Sequence, residues 1–195
     1  ERGGGGETQP SAAAPEEKPV GPLTGWRLLI AAIAVGFGNF LVILDTTIAN
    51  VSIPTIAGSL GVSPSQGTWV ITSYAVAEAI TVPLTGWLVR RFGARRVFLT
   101  CYMAFGVLSL LCGLSYSLGM LVTARVMLGL CGGPLIPLSQ MLLLRIFPPE
   151  KAIMATVIWS LTTLLAPVAG PILGGVISDS IGWPWIFFIN VPIAA

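Results

Sequence analysis

Long apolar runs alternate with short polar or glycine-rich stretches along most of the chain. A helix needs about 20 mainly apolar residues to cross a bilayer. The runs therefore predict six membrane spans, at about residues 27–53, 68–89, 97–114, 119–144, 152–178 and 185–195. The chain starts with Glu1 rather than Met and stops at Ala195, inside the sixth run. We therefore expect a fragment of a longer protein, with its sixth helix truncated.

Residues 1–25 show a different pattern, because they are rich in Gly, Pro, Ala and Glu and have no apolar periodicity. Such a composition cannot bury enough apolar surface to fold. We predict that this segment is a disordered cytoplasmic tail and that residues 26–195 form a transmembrane bundle.

Composition narrows the class of protein. Hydrophobic residues make up 54% of the chain and charged residues 9%, whereas soluble domains carry about 25% charged residues. The predicted fold class is therefore an all-α polytopic membrane protein. The net charge of +2 gives no reason to expect a nucleic-acid partner. With three cysteines inside apolar runs and no His, the sequence shows no metal site, no cofactor site and no nucleophile–base pair, so an enzyme is least favoured.

Loop charges predict the orientation of the bundle. The loops after spans two and four carry basic residues, whereas the loops after spans one, three and five have no Lys or Arg. Basic loops mark the cytoplasmic side of a membrane protein. We therefore predict a multi-pass protein of the inner (plasma) membrane with a cytoplasmic N-terminus.

Away from the ends of the predicted spans, three residues are charged: Asp45, Glu78 and Arg125. Such a charge costs a few kcal/mol or more unless it is paired, protonated or wetted by a cavity. At their similar depths Arg125 can pair with either acid, and Glu78, in the middle of span two, is the candidate for the unpaired one. Low dielectric penalises a charged carboxylate and a guanidinium favours it, so the group predicts a proton or cation site. The alternative is an ion pair that only fixes helix register.

Three uncharged side chains are candidates for a substrate cavity. Asn39 and Asn50 share span one with Asp45 and could face a cavity together with it. Trp159 lies well inside span five, where lipid, a neighbouring helix or a ligand cavity are the alternatives for its surroundings.

Span five contains a stripe of small residues. Ala166, Gly170 and Gly174 recur at every fourth position, so a helix places them on one face that another helix can approach closely. Prolines within the stripe, Pro171 among them, predict a bend or a loosened turn. The stripe and the adjoining Gly175 favour a helix contact that moves, and ordinary close packing is the alternative.

The loop between spans two and three predicts a tight connection of two antiparallel helices. Gly86 and Gly93 lie seven residues apart, and Gly93 can adopt the positive φ of such a turn. The basic residues of this loop are Arg90, Arg91, Arg95 and Arg96. Positive-inside anchoring alone is the alternative role.

Four motifs resemble those of the major facilitator superfamily, and more narrowly of its fourteen-span drug:proton antiporters of the EmrB/QacA type. They are LDTTIANVSIP at 44–54 in span one, GWLVRRFGARR at 86–96 in the loop, RVMLG at 125–129 in span four and AGPILGG at 169–175 in span five. The resemblance covers about residues 23–195, nearly everything but the tail.

The resemblance implies that this chain is the N-terminal six-helix bundle of a proton-driven exporter of hydrophobic drugs or toxic compounds. It implies proton coupling by Asp45, Glu78 and Arg125, and a stripe that seals and hinges the outward gate in a contact shared with the second bundle. Small-molecule substrates, protons and the lipid bilayer are the expected partners, with a periplasmic adaptor and an outer-membrane channel for the EmrB-type branch. The alternatives are a transporter of one metabolite, such as a sugar or siderophore, and a non-transporting membrane subunit or receptor.

Overall fold

The computed structural model describes residues 25–194, so the tail predicted at 1–25 lies outside the described residues except for Gly25. Within this range the secondary structure is helical, without strands. The α-helices are α1 (Trp26–Ser59), α2 (Pro64–Gly67), α3 (Trp69–Phe92), α4 (Ala94–Gly113), α5 (Leu118–Ile146), α6 (Ala152–Ser180), α7 (Trp185–Phe188) and α8 (Asn190–Ala194). A 3-10 turn at Pro149–Lys151 leads into α6.

Local sequence explains where several helices begin and end. At the start of α2, Ser63 Oγ accepts a hydrogen bond from the Gln66 amide, and the Gln66 side chain accepts one from the Ser63 amide. At the start of α5, Ser117 Oγ accepts from the Met120 amide. Gly93 separates α3 from α4 with φ +85°, the conformation that the sequence predicts and that a side chain would strain.

The bundle is built around α5, which contacts α1, α3, α4 and α6. Its closest approach is to α3, where glycines replace side chains. A Cβ atom at Gly129 would lie 2.5 Å from the Tyr74 carbonyl oxygen, and one at Gly133 would lie 2.4 Å from Thr81 Oγ1. Small residues therefore allow the backbones of α3 and α5 to approach closely, as they do between helices in lipid.

Apolar side chains cover much of the outside of the bundle as well as its core. Leu164 is 68% exposed and Val176 63% exposed, although both lie in the middle or outer part of a long helix. Within residues 25–194, α1, α4, α5 and the 3-10 turn with α6 are long and apolar enough to cross a membrane. The fold is thus an all-α membrane bundle, as predicted.

Prolines lie inside the long helices α1, α3, α5 and α6 without ending them. In α6, where the sequence predicts a bend or a loosened turn, the helix is continuous from Ala152 to Ser180 through Pro167 and Pro171. The three cysteines are free thiols.

Candidate functional site

Asp45 of α1 and Arg125 of α5 form a buried ion pair, in which Arg125 Nη1 donates to Asp45 Oδ2. Their side chains are 1% and 0% exposed. The sequence left two acids as partners for Arg125, and the structure selects Asp45. Removing one partner of a buried pair leaves an uncompensated charge, so each residue offsets the cost of burying the other.

Three further contacts fix the guanidinium group of Arg125. Its Nε donates to the Val70 carbonyl oxygen at 3.2 Å. Its central carbon lies 4.4 Å from the ring centre of Tyr74 and 5.6 Å from that of Phe187. Cation–π attraction is strongest where water is excluded. The orientation of Arg125 is therefore determined by α3 and α7 as well as by Asp45.

Asn190 of α8 completes this group, although the sequence analysis did not single it out as a site residue. Its Nδ2 donates to Asp45 Oδ1 at 2.8 Å and to Ser109 Oγ at 3.2 Å. Each carboxylate oxygen of Asp45 thus accepts a hydrogen bond, one from α5 and one from α8. A signal was present in the sequence, because Asn190 is the one amide or hydroxyl side chain in the final apolar run. We call Asp45, Ser109, Arg125 and Asn190 the charge cluster.

Glu78 of α3 is not a member of the charge cluster, although it lies near enough to interact electrostatically with Arg125 and Asp45. Within residues 25–194 its carboxylate has no ion-pair partner, so it is the unpaired acid that the sequence predicts. Its side chain is half-buried. It lines a cavity of about 200 Å³, whose other walls are Val42, Ile43, Thr46, Thr47 and Ile136. Most of these wall residues belong to α1 and flank Asp45 in the sequence.

The two acids are arranged for different chemistry. Glu78 can exchange a proton with a molecule in its cavity, because its carboxylate is not paired with a cationic side chain. Protonation of Asp45 would instead remove the charge that attracts Arg125 and would weaken the contact of α1 with α5. The geometry can therefore couple protonation of Asp45 to the position of α1 relative to α5.

The two asparagines of α1 do not share the surroundings of Asp45. Asn39 is fully buried between α1 and α6, where its Nδ2 donates to Thr162 Oγ1 at 3.1 Å and to Thr163 Oγ1 at 2.8 Å. This corrects the expectation that Asn39 faces a cavity with Asp45, because its amide is used to join two helices. Asn50 is exposed and donates to the Thr46 carbonyl oxygen of its own helix.

Trp159 joins α6 to α5. Its ring is half-buried, and its Nε1 donates to Ser139 Oγ at 3.2 Å. Of the three surroundings that the sequence left open for Trp159, the structure shows a contact with a neighbouring helix.

The stripe of small residues in α6 packs on α1. Ala166, Gly170 and Gly174 are buried, whereas most of α6 is not. A Cβ atom at Gly170 would lie 2.1 Å from Thr47 Oγ1, and one at Gly174 would lie 3.3 Å from the Ile48 carbonyl oxygen. The close helix contact that the sequence predicts therefore exists, and its partner is α1 of the same bundle.

Within this bundle α1 covers the face of the stripe, and the sharing of the stripe with a second bundle stays a prediction. Pro171 and Gly175 lie off the contact face. Pro171 is exposed, and a Cβ atom at Gly175 would meet no atom within 4 Å. The face of α6 that remains open is apolar and includes Val168 and Ile172, each 63% exposed.

Thr47 connects the stripe to the acids. It lies two residues after Asp45, lines the Glu78 cavity and contacts Gly170. Its Oγ1 also lies 3.4 Å from the Ala166 carbonyl oxygen. A displacement of α1 at this point would change the cavity and the contact with α6 together.

The basic residues of the loop motif are exposed. Its four basic residues form no ion pair with another residue between 25 and 194; they are Arg90, Arg91, Arg95 and Arg96. Gly93 has the positive φ described above, whereas a Cβ atom at Gly86 would meet nothing within 4 Å. Steric crowding therefore does not explain why residue 86 is a glycine.

Known proteins that are similar to this chain in sequence are transporters. The chain is 58% identical over 172 residues to the multidrug export protein EmrB of Escherichia coli (strain K12), which covers 88% of this chain and 34% of that protein. It is 50% identical to the fatty acid resistance protein FarB of Neisseria gonorrhoeae over 172 residues, with the same coverage. The chain thus spans about a third of the length of the curated relatives it matches.

Solved structures show the same fold. A bacterial homologue of the human lysosomal transporter Spinster, inward-facing and unoccupied, superposes with a TM-score of 0.71 at 18% identity, over 89% of this chain and 41% of that one. Its inward-facing, occupied form gives a TM-score of 0.73, also at 18% identity, over 88% of this chain and 43% of that one.

The family model of the Major Facilitator Superfamily matches residues 35–195, which include the charge cluster, Glu78 and the stripe. This superfamily consists of transporters and not of enzymes. The chain belongs to the Major Facilitator Superfamily.

Proposed function

We propose that the full-length protein is a proton-driven antiporter that exports hydrophobic drugs or other toxic compounds across the inner membrane. The proposal rests on the observation that Arg125 forms an ion pair with one of the two acids and not with the other. Arg125 pairs with Asp45, and Glu78 stays unpaired at a cavity beside the pair. Ionisable groups inside a membrane bundle are costly, which makes a role in coupling the default explanation.

In this proposal the three charged residues have separate tasks. Glu78 takes up or releases a proton at the cavity. Asp45 receives a proton within the buried cluster and then attracts Arg125 less strongly. The contact between α1 and α5 weakens as a result, and the bundle moves toward its other conformation. Such transporters place their coupling sites between rocking bundles near the bilayer midplane.

The contact of α6 with α1 supplies a gate in the same proposal. Gly170 lets α6 approach Thr47 so closely that no side chain fits between them. We infer that α1 and α6 move as one unit, and that the exposed apolar face of α6 meets the second bundle at the outward gate. Pro171 lies beside this contact and would adjust α6 during the movement.

The names of the relatives support the substrate class. EmrB is named for multidrug export and FarB for fatty acid resistance. Both names describe protection against compounds, and the mainly apolar walls of the Glu78 cavity suit hydrophobic ones. For the EmrB-type branch we further propose a periplasmic adaptor and an outer-membrane channel as partners.

The loop charges support the proposed orientation, with a cytoplasmic N-terminus and the arginines of the loop motif on the cytoplasmic side. Accessibility of Arg95→Cys to a membrane-impermeant thiol reagent tests this placement. Labelling in inverted vesicles but not in intact spheroplasts is the expected result, and the opposite pattern would reverse the topology.

Transport itself is tested in proteoliposomes that contain the full-length protein. A gradient of a hydrophobic drug should drive proton movement in the opposite direction, and Asp45→Asn and Glu78→Gln should each abolish it. Proton flux and drug flux that both survive in these two variants would show that the assignment of the coupling residues is wrong. A non-transporting subunit or receptor would produce no substrate-dependent proton flux at all, and a transporter of one metabolite would respond to one compound only.

A further inference from the structure

Asn190 is a buried amide that contacts the ion-pair acid but is not itself charged. We infer that Asn190 is a positioning residue whose side-chain amide turns over when Asp45 gains a proton, so that the charge cluster stays hydrogen-bonded in both protonation states. This inference rests on the proposed function, because it assumes that Asp45 is protonated during transport.

The observed geometry fits ionised Asp45. An amide NH₂ group only donates hydrogen bonds and an amide oxygen only accepts them. Nδ2 of Asn190 donates to Asp45 Oδ1 at 2.8 Å, and Arg125 Nη1 donates to Asp45 Oδ2. Both carboxylate oxygens therefore act as acceptors, as an ionised carboxylate requires.

A proton on Asp45 changes this requirement, because one of its oxygens becomes a donor. Arg125 has no acceptor atom, so the oxygen that faces it, Oδ2, must remain an acceptor. The proton therefore belongs on Oδ1, where it would meet the Nδ2 hydrogens of Asn190. Two opposed donors repel each other, and the cluster must rearrange at this contact.

A half-turn of the Asn190 amide removes the conflict. It brings the side-chain oxygen of Asn190 to the position of Nδ2, where it can accept from the protonated Asp45 Oδ1. In the observed orientation this amide oxygen is buried and has no hydrogen-bond partner among residues 25–194. The half-turn pairs this oxygen and moves the Nδ2 hydrogens to its former position, so the turned state is favoured because it removes the repulsion between two donors at Asp45 Oδ1.

Ser109 of α4 can follow the same change. Its Oγ accepts from Asn190 Nδ2 at 3.2 Å, and a hydroxyl can donate as well as accept. After the half-turn it can donate to the Asn190 oxygen. Asn190 and Ser109 thus provide two hydrogen bonds in either state, which a Leu–Ala pair of similar shape could not.

Other groups around Asp45 do not offer this exchange. The titratable groups that act on Asp45 electrostatically are Arg125 on α5, Tyr74 and Glu78 on α3, and Cys112 on α4. Within the described range, Asn190 and Arg125 are the donors to the Asp45 carboxylate. Asn190 is therefore the residue that is positioned to accept a hydrogen bond from protonated Asp45.

Difference infrared spectroscopy of the full-length protein, recorded between acidic and alkaline pH, tests the inference. The carboxylic-acid C=O band of Asp45 is assigned by its loss in Asp45→Asn. In the wild type this band should appear together with a shift of an asparagine amide C=O band, and the amide component should be absent in Asn190→Leu. The acid band should move to higher frequency in Asn190→Leu, because its O–H loses its acceptor.

Ser109→Ala provides a second variant if Asn190→Leu does not fold, and Ser52→Ala is its matched control. Both serines are buried, but Ser52 Oγ has no partner in the described part of the chain. Ser109→Ala should shift the acid and amide bands while Ser52→Ala leaves them unchanged. Substrate-driven proton flux should fall about tenfold in Asn190→Leu, the loss expected for a hydrogen bond to a charged group, and Asn190→Gln should restore part of it.

An acid band without an amide change, or identical spectra for Ser109→Ala and Ser52→Ala, would overturn the inference. Absence of an Asp45 acid band at every pH would also overturn it, and persistent proton flux would then show that transport does not need Asp45 protonation. Coupled acid and amide bands without any proton flux would leave the inference standing and contradict the proposed function.

Discussion

The two sides of α1 contact their neighbours by different means. Residues two positions apart on a helix lie on roughly opposite faces, and Asp45 and Thr47 have this spacing. Asp45 faces α5 and α8 and contacts them through charge and hydrogen bonds. Thr47 faces α6 and contacts Gly170 through shape, and the hydrogen bonds that Asn39 adds between α1 and α6 involve no charged group.

The difference shows which contact one proton can change. A charge contact loses most of its attraction when Asp45 becomes neutral, whereas a contact that depends on the absence of a side chain does not respond to protonation. We therefore expect α1 to stay with α6 and to shift relative to α5. Four substitutions test whether the two contacts differ in this way.

The largest effect is expected from Arg125→Leu. Ionised Asp45 would be left buried without a counter-charge, which costs about 3–5 kcal/mol of folding free energy. Thermal unfolding of the purified full-length protein measures the loss. The double variant Asp45→Leu with Arg125→Leu is the control, because removal of both charges should restore most of the stability. A double variant no more stable than Arg125→Leu alone would show that the ion pair is not the source of the effect.

Gly170→Leu tests the shape contact. The new side chain would overlap Thr47 and cost about 1–3 kcal/mol of stability. Drug export should be lost while membrane insertion stays normal. Gly175→Leu is the matched control on the same helix, since its Cβ meets open space. Normal export by Gly170→Leu, or equal damage from Gly175→Leu, would mean that the stripe has no special part in the movement.

Glu78→Gln should separate coupling from stability. Neutralising an acid that has no ion-pair partner should change the unfolding free energy by no more than about 0.5 kcal/mol. Substrate-driven proton flux should nevertheless fall by at least about tenfold, the size of a lost charge interaction. Glu150→Gln, an exposed acid in the 3-10 turn before α6, is the control. Wild-type flux in Glu78→Gln would remove Glu78 from the coupling path.

Trp159→Phe should have the smallest effect. It removes the hydrogen bond to Ser139 and keeps most of the ring, at a cost of about 1 kcal/mol. Ser139→Ala should cost a similar amount, and the double variant should cost no more than either single one. Unfolding free energies that add in the double variant would show that the two side chains do not act as a pair.

Local patterns in the sequence predict much of this arrangement. The apolar runs predict the long helices, the spacing of Ala166, Gly170 and Gly174 predicts a close helix contact, and Gly93 predicts the positive φ between α3 and α4. These features depend on residues near one another in the chain, so periodicity and backbone geometry are enough to predict them.

The partners of these features could not be predicted in the same way. Two acids at similar depth left the choice of partner for Arg125 open, because depth does not determine which side chain a helix rotation brings near. For the same reason, the spacing of the stripe did not identify α1 as its partner. Asn190 lies 145 positions from Asp45. The contact of its amide with Asp45 becomes apparent only once α8 is placed beside α1.

The most direct test of the central claim compares two distances from one point on α1. Spin labels at Ser59 and Thr123 report on α1 and α5, and labels at Ser59 and Ser180 report on α1 and α6; all three positions are exposed. Distances are measured in the full-length protein without its native cysteines, with and without Asp45→Asn. We expect Asp45→Asn to change the Ser59–Thr123 distance and to leave the Ser59–Ser180 distance unchanged. An unchanged Ser59–Thr123 distance, or an equal change in both, would contradict the central claim.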